Sequence, residues 1–248
     1  MTKVILRAVE IEINSYCNRT CSYCPNSKSK RNESGDMRTD IFMQILNQLK
    51  KNDFKGRLSF HFYGEPLLSK NLNQFVTYAH NILPNSSLHI YSNGTLLSLE
   101  RFRILQRLGV AEFYITQQEE DLENDDYLFS KTYDALTINE KKSVTFITHK
   151  NLIKTNRAGL LSIGDTNVPL QRPCLIPLTN MCFTVQGNVL PCYEDYHQVE
   201  VMGNIMEKSL HDIWATEKYT SFRERIKSGD RKSSDLCKGC NSRIMLAI

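Results

Sequence analysis

The sequence predicts an α/β fold, a partial (β/α) barrel with a small cysteine-bearing module at its C-terminal end. Three observations carry this. Extended and helical segments alternate over roughly the first 150 residues, the extended segments gather polar groups on one face, and eight cysteines cluster toward the two ends of the chain.

The elements follow in order. Val9, Ile11 and Ile13 alternate with Glu10, Glu12 and Asn14, so Val9 to Asn14 is extended. Ile41, Ile45, Leu46 and Leu49 recur at helical spacing behind Asp40. Arg57 to Tyr63 is the next strand, Leu72 to Leu83 a helix closed by Pro84, and Leu88 to Tyr91 a strand ending in Ser92-Asn93-Gly94. Ser98 to Leu108 is helical and stops at Gly109, and Glu112 to Thr116 is extended again. A filled barrel would turn branched aliphatic residues inward; the polar sets Glu10/Glu12/Asn14, Ser59/His61/Tyr63 and His89/Tyr91/Asn93 suggest an open barrel that holds a ligand. An open sheet with one wet face is the alternative. From about residue 119 the pattern weakens into the run Glu119, Glu120, Asp121, Glu123, Asp125, Asp126, read as a solvated loop. Phe183 to Val185, the turn Gln186-Gly187-Asn188 and Val189 to Cys192 read as a hairpin. The expected division is a barrel domain over 1–164 and a module over 165–248.

Composition narrows the function classes. With 248 residues, 41% hydrophobic and 23% charged, the chain is globular and long enough for one large core. A net charge of +4 is too small to argue for a nucleic-acid partner. No apolar run approaches the ~18 residues of a membrane span, and the N-terminus has no signal-peptide core. A soluble cytoplasmic protein without membrane or nucleic-acid partners is expected.

In a reducing compartment tight cysteine clusters read as metal ligands. Cys17, Cys21 and Cys24 fall within eight residues directly after the first strand. Tetrahedral zinc completed by a distant fourth ligand is one reading, which would make the chain a zinc-stabilised binding module. An iron–sulfur cluster with one iron left open is the other.

The C-x3-C-x2-C spacing, with Tyr23 before the last cysteine, resembles the radical S-adenosylmethionine (SAM) superfamily. His61-Phe62-Tyr63-Gly64-Glu65-Pro66 is similar to that family's Gly-Glu-Pro segment. The resemblance implies that Cys17, Cys21 and Cys24 hold a 4Fe–4S cluster whose open iron takes SAM, with Tyr23, Tyr63, Gly64, Glu65, Pro66, Ser92 and Asn93 around that cofactor. Gly64 would permit close backbone approach, Pro66 would fix the turn, and the Glu65 carboxylate would meet the methionine ammonium. Cys174, Cys192 and the pair Cys237/Cys240 resemble the shortened auxiliary-cluster module called twitch, implying a second 4Fe–4S cluster fully ligated by protein.

Asn156-Arg157, Gly187 to Cys192, Met202 to Ile205 and Ser234 to Cys237 extend the resemblance, over nearly the whole chain, to the family's aminocyclitol dehydrogenases. This implies oxidation of a secondary alcohol of an aminocyclitol or amino sugar, 2-deoxy-scyllo-inosamine or a molecule like it, to a ketone in aminoglycoside antibiotic biosynthesis. It places Arg157 and Glu194 beside the substrate and Tyr63, Tyr91 and Tyr193 on the pocket wall. Arginine, with a pKa above about 12, is a poor base. Arg157 is therefore expected to stabilise a developing oxyanion or to take the proton only at the radical stage, and Glu194 to hydrogen-bond a hydroxyl or amine. His61 is read as a satisfied polar strand residue. Cys182 is left over, either a small buried hydrophobe or, in an epimerase of the family, the thiol that returns a hydrogen atom. A flavodoxin- or ferredoxin-like protein is the implied electron donor; Lys28, Lys30 and Arg31 are read as a solvated loop or the face that meets it.

Overall fold

Each strand of the first half is followed by a helix, so successive strands must run parallel and sit side by side. That is the arrangement in the computed structural model of the chain, which describes residues 4–31, 34–163 and 170–242. Strands β1 (Ala8–Ile11), β2 (Arg57–Ser59), β3 (Ser87–Ser92), β4 (Val110–Gln117) and β5 (Val144–Thr148) alternate with α1 (Thr39–Lys51), α2 (Leu72–Ile82), α3 (Leu99–Arg107), α4 (Leu128–Ala135) and α5 (Ile138–Lys141). After α6 (Ile176–Thr179) come β6 (Asn180–Phe183), β7 (Asn188–Leu190) and β8 (Gly203–Asn204), then α7 (Leu210–Ala215) and α8 (Glu217–Lys227). The sheet order is β5-β4-β3-β2-β1-β6-β7-β8.

The sheet does not end where the βα units end. β6 pairs parallel with β1, Glu10 beside Cys182, and β7 and β8 continue it antiparallel. The cysteine-bearing C-terminal segment thus grows from the free edge of the barrel sheet. The expected boundary between residues 164 and 165 lies outside the described residues.

One face of the sheet is apolar. Val9, Ile11, Leu58, Ile90, Phe113 and Ile115 are buried under the helices, where Phe42 of α1 stacks on Phe75 of α2 at 4.0 Å between ring centroids. Lys50 and Lys51 lie in the last turn of α1 and Asp40 in the first, as the helix dipole favours. Ser98 caps α3 by accepting from the Arg101 N–H. The other face carries Glu10, Ser59, His89 and Tyr91, the polar set read from the sequence.

The weakly patterned stretch after residue 117 is ordered. It holds α4, α5 and β5, whose edge position leaves its residues only half-buried and erases the alternation that marks an inner strand. The acidic run is no solvated loop throughout: Asp121 is buried and, with Glu120, grips Arg19. Among the described residues no helix is long and apolar enough to cross a membrane.

Candidate active site

The three-cysteine loop leaves the C-terminal end of β1 and is held from several sides. Arg19 pairs with Glu120 at 3.0 Å and Asp121 at 2.5 Å, and the Tyr23 hydroxyl donates to Gln118 Oε1 at 2.6 Å. Asn93 Nδ2 donates to Asn18 Oδ1 at 2.9 Å, and Asn18 Nδ2 donates to Thr95 Oγ1 at 2.8 Å. The loops after β3 and β4 therefore position Cys17, Cys21 and Cys24. Burial pushes the Cys17 thiol up to about 11 and raises Cys21 and Cys24 as well, so the thiols stay protonated until a cation binds.

Gly64 has no room for a side chain, since a Cβ would lie 2.0 Å from the Asn14 carbonyl oxygen. The Glu65 N–H donates to the Tyr16 carbonyl and Asn14 Nδ2 donates to the Glu65 carbonyl, tying this turn to the start of the cysteine loop. The Glu65 carboxylate is held by the protein itself. It is 3% exposed and accepts from the Leu67 N–H, the Ser92 hydroxyl and the Asn93 N–H at 3.0, 2.8 and 2.9 Å. Burial raises its pKa and those three donors hold it down. Three protein donors fill three of the roughly four lone-pair sites of the carboxylate expected to meet an ammonium. It braces Ser92-Asn93 against the Gly64 turn.

A cavity of about 420 Å³ opens on the polar face of the sheet. Tyr23, Cys24, Tyr63, Gly64, Tyr91, Arg157 and Tyr193, all singled out in the sequence, line it together. So do Glu10, Arg57, His61 and Phe62. Sequence reasoning missed Arg57. Its signal was position: it stands two and four residues before Ser59 and His61, on the same face of the strand. Arg57 pairs with Glu10 and donates to the Tyr91 hydroxyl at 2.8 Å, and His61 stacks on Tyr91 at 4.4 Å. His61 is not the satisfied residue expected, since its Nδ1 is buried without a hydrogen bond.

A second cavity gathers Cys174, Cys192, Cys237 and Cys240, drawn from three places in the chain, together with Glu194. Asn156 and Asn241 lock the 237–241 turn in place: the Asn156 N–H donates to Asn241 Oδ1 at 2.8 Å and the Asn241 N–H donates to Asn156 Oδ1 at 3.1 Å. The Glu194 and Ser242 N–H groups donate to Cys192 and Cys240 sulfurs, both at 3.4 Å, the kind of contact that steadies a cluster thiolate. Among the described residues no three Cys, His, Asp or Glu side chains close on a single-ion site. Four thiols around one cavity suit a polynuclear group.

Three expectations need correction. Glu194 is 1% exposed and lines the four-cysteine cavity, not the wall of the first one; it accepts from the Thr155 hydroxyl and reaches the first cavity through Arg157, 3.8 Å away. Cys182 lines neither cavity: it is 0% exposed in β6, packed with Phe62, Tyr63, Leu190 and Tyr196, so it cannot return a hydrogen atom to a substrate. Arg31 is no part of an exposed basic patch. Its side chain is 4% exposed, 2.6 Å from Glu12 and within 5.6 Å of the ring centroids of Phe62, Tyr63 and Tyr196.

Known families share this layout. The radical SAM superfamily model matches residues 11–138, and the iron–sulfur cluster-binding SPASM model matches residues 174–241. The chain belongs to the radical SAM superfamily. As a radical SAM enzyme with a SPASM-type region it uses SAM and two iron–sulfur clusters. It is 44% identical to the S-adenosyl-L-methionine-dependent 2-deoxy-scyllo-inosamine dehydrogenase of Niallia circulans, over 94% of this chain and 92% of that one. The crystal structure of BtrN in complex with AdoMet and 2-DOIA matches with a TM-score of 0.90 at 43% identity, covering 98% of this chain and 96% of that one. BtrN in an open conformation matches at 0.76 and 38% identity, covering 97% and 94%. The radical SAM fold described here is thus nearer the ligand-bound arrangement than the open one.

Proposed function

We propose that this radical SAM enzyme oxidises one secondary alcohol of 2-deoxy-scyllo-inosamine, or of an aminocyclitol closely like it, to a ketone, a step in assembling an aminoglycoside antibiotic. One observation carries the reading: Cys24 and Arg157 line the same cavity, and Arg157 is paired to Glu194, which lines the second cavity with Cys174, Cys192, Cys237 and Cys240. A substrate in that cavity has a cysteine set on either side, as an oxidation run in one-electron steps requires.

Cys17, Cys21 and Cys24 are the proposed ligands of the SAM-binding 4Fe–4S cluster, and Cys174, Cys192, Cys237 and Cys240 those of the auxiliary one, with barrel and twitch domains over 1–164 and 165–248. When bound, these groups supply a 5′-deoxyadenosyl radical that removes the hydrogen atom from the carbinol carbon, and an acceptor for the electron that remains. The protein positions and stabilises. Tyr23, Tyr63, Gly64 and Pro66 shape the SAM site, and Glu65 holds Ser92 and Asn93 beside it. Tyr63, Tyr91 and Tyr193 pack the ring. Arg157, its pKa lowered by burial but raised more by Glu194, Tyr63, Cys24 and Tyr193 together, stays a cation and stabilises oxygen charge as the hydroxyl ionises. Exposed Lys28 and Lys30, on the cysteine loop, suit an acidic flavodoxin- or ferredoxin-like donor in the cytoplasm.

Anaerobic turnover with SAM tests the proposal. 2-Deoxy-scyllo-inosamine is expected to yield a product two hydrogens lighter together with 5′-deoxyadenosine. Absence of any such loss across a panel of aminocyclitols overturns it.

A further inference from the structure

The alcohol's proton needs an acceptor, and the cavity wall offers few. Arg157 and Arg57 are cations paired to Glu194 and Glu10. Tyr63 already donates its proton to the Tyr193 carbonyl, and burial raises the hydroxyl pKa of Tyr63, Tyr91 and Tyr193. Glu194 lies outside this wall.

His61 is different. Its Nδ1 and Glu10 Oε2 are both buried, neither makes a hydrogen bond, and they face each other at 3.4 Å. A pair at this distance needs only a small shift to close, as catalytic hydrogen bonds often do when substrate arrives. The side chain is 26% exposed although Nδ1 is buried, so its open edge, with Nε2, is toward the cavity it lines. Tyr91 fixes the ring plane by stacking.

We propose that His61 Nε2 is the proton acceptor for the substrate hydroxyl, with Glu10 a positioning residue that takes the Nδ1–H and so leaves the Nε2 lone pair free. The step balances. The carbinol carbon loses its hydrogen atom to the 5′-deoxyadenosyl radical, the hydroxyl proton passes to Nε2, and the remaining electron leaves to the auxiliary cluster as the second C–O bond forms. Burial lowers the His61 pKa, as do the cations Arg57 and Arg157, against the opposing pull of Glu10; His89 and Tyr91 are the other titratable neighbours. The ring is neutral, and able to accept, at pH 7.

This inference rests on the proposed alcohol oxidation, and its test separates the two. Freeze-quenched electron paramagnetic resonance follows the substrate carbon radical in the holoenzyme, and calorimetry measures substrate affinity. In His61→Asn the radical is expected to form but to decay at least tenfold more slowly, with affinity changed less than threefold. Wild-type decay is expected to slow only below the ordinary histidine value of 6.5 and to show a solvent deuterium effect, a readout that survives if the variant misfolds. Unchanged decay in His61→Asn, or wild-type decay independent of pH and of solvent deuterium, overturns the role of His61 alone. Affinity lost with decay unchanged makes His61 a binding residue and also overturns it. No radical in the wild type with any aminocyclitol refutes the oxidation itself.

Discussion

Arg157 Nη1 lies 3.8 Å from Glu194 Oε2, and the two side chains line different cavities. This pair joins the chamber for substrate to the chamber of four cysteines. Arg157 and Ala158 both adopt left-handed backbone, φ 48° and 56°, conformations that disfavour side-chain-bearing residues. That strain is held by the Asn156–Asn241 clasp one residue before. Arg157→Lys keeps the charge and loses the planar fork, so ketone formation is expected to fall about 100-fold while iron content stays constant. Rates within threefold of wild type would show that the guanidinium stabilises no charge.

Cysteine substitutions separate ligands from packing. Two four-iron clusters give about eight irons per chain. Cys240→Ala is expected to lower this to about four and to abolish ketone formation. Cys182→Ala is expected to keep both iron and product, because the thiol only fills space between β1 and β7. Iron analysis after anaerobic purification reads both results.

Glu65→Gln tests the brace. An amide offers one oxygen where the carboxylate offers two, and its NH2 meets an N–H or hydroxyl donor. A stability loss of about 1–3 kcal/mol is expected, with SAM binding weakened about tenfold through a displaced Ser92-Asn93 turn. Urea unfolding and SAM titration read the two effects.

Acid sensitivity follows from His89. Burial, aided by Arg57, lowers its pKa from 6.5 to about 4. Between these values the unfolded chain binds a proton that the folded one refuses, so stability is full above pH 6.5 and falls as pH drops toward 4. His61 acts in the same direction. Urea midpoints at pH 7 and pH 5 are expected to differ less in His89→Gln than in wild type; an equal difference would exclude this source.

Arg31→Leu removes the guanidinium from a carboxylate, Glu12, that is 0% exposed. A loss of about 3–5 kcal/mol is expected, read by urea unfolding, in contrast to the negligible cost of Lys30→Leu on the exposed loop.

Local information sufficed for much of the protein. The boundaries of α2 and α3 came within one residue because Pro84, Ser98 and Gly109 are local stop and start signals, and the cavity-facing polar set was visible because strand periodicity is two. Thiol spacing located the N-terminal loop and the Cys237/Cys240 pair for the same reason. What the sequence could not decide depends on contacts across long separations. Edge exposure hid β5, and the pairing of β6 with β1, which seats Cys182 harmlessly beside Glu10, is set by sheet register 172 residues apart. Arg31 looked like one more loop cation until three aromatic rings closed around it. Only folding brings Glu10, Arg57 and His61 to one wall and puts Glu194 behind Arg157, because burial and electrostatic pairing are properties of neighbours in space, not in the chain.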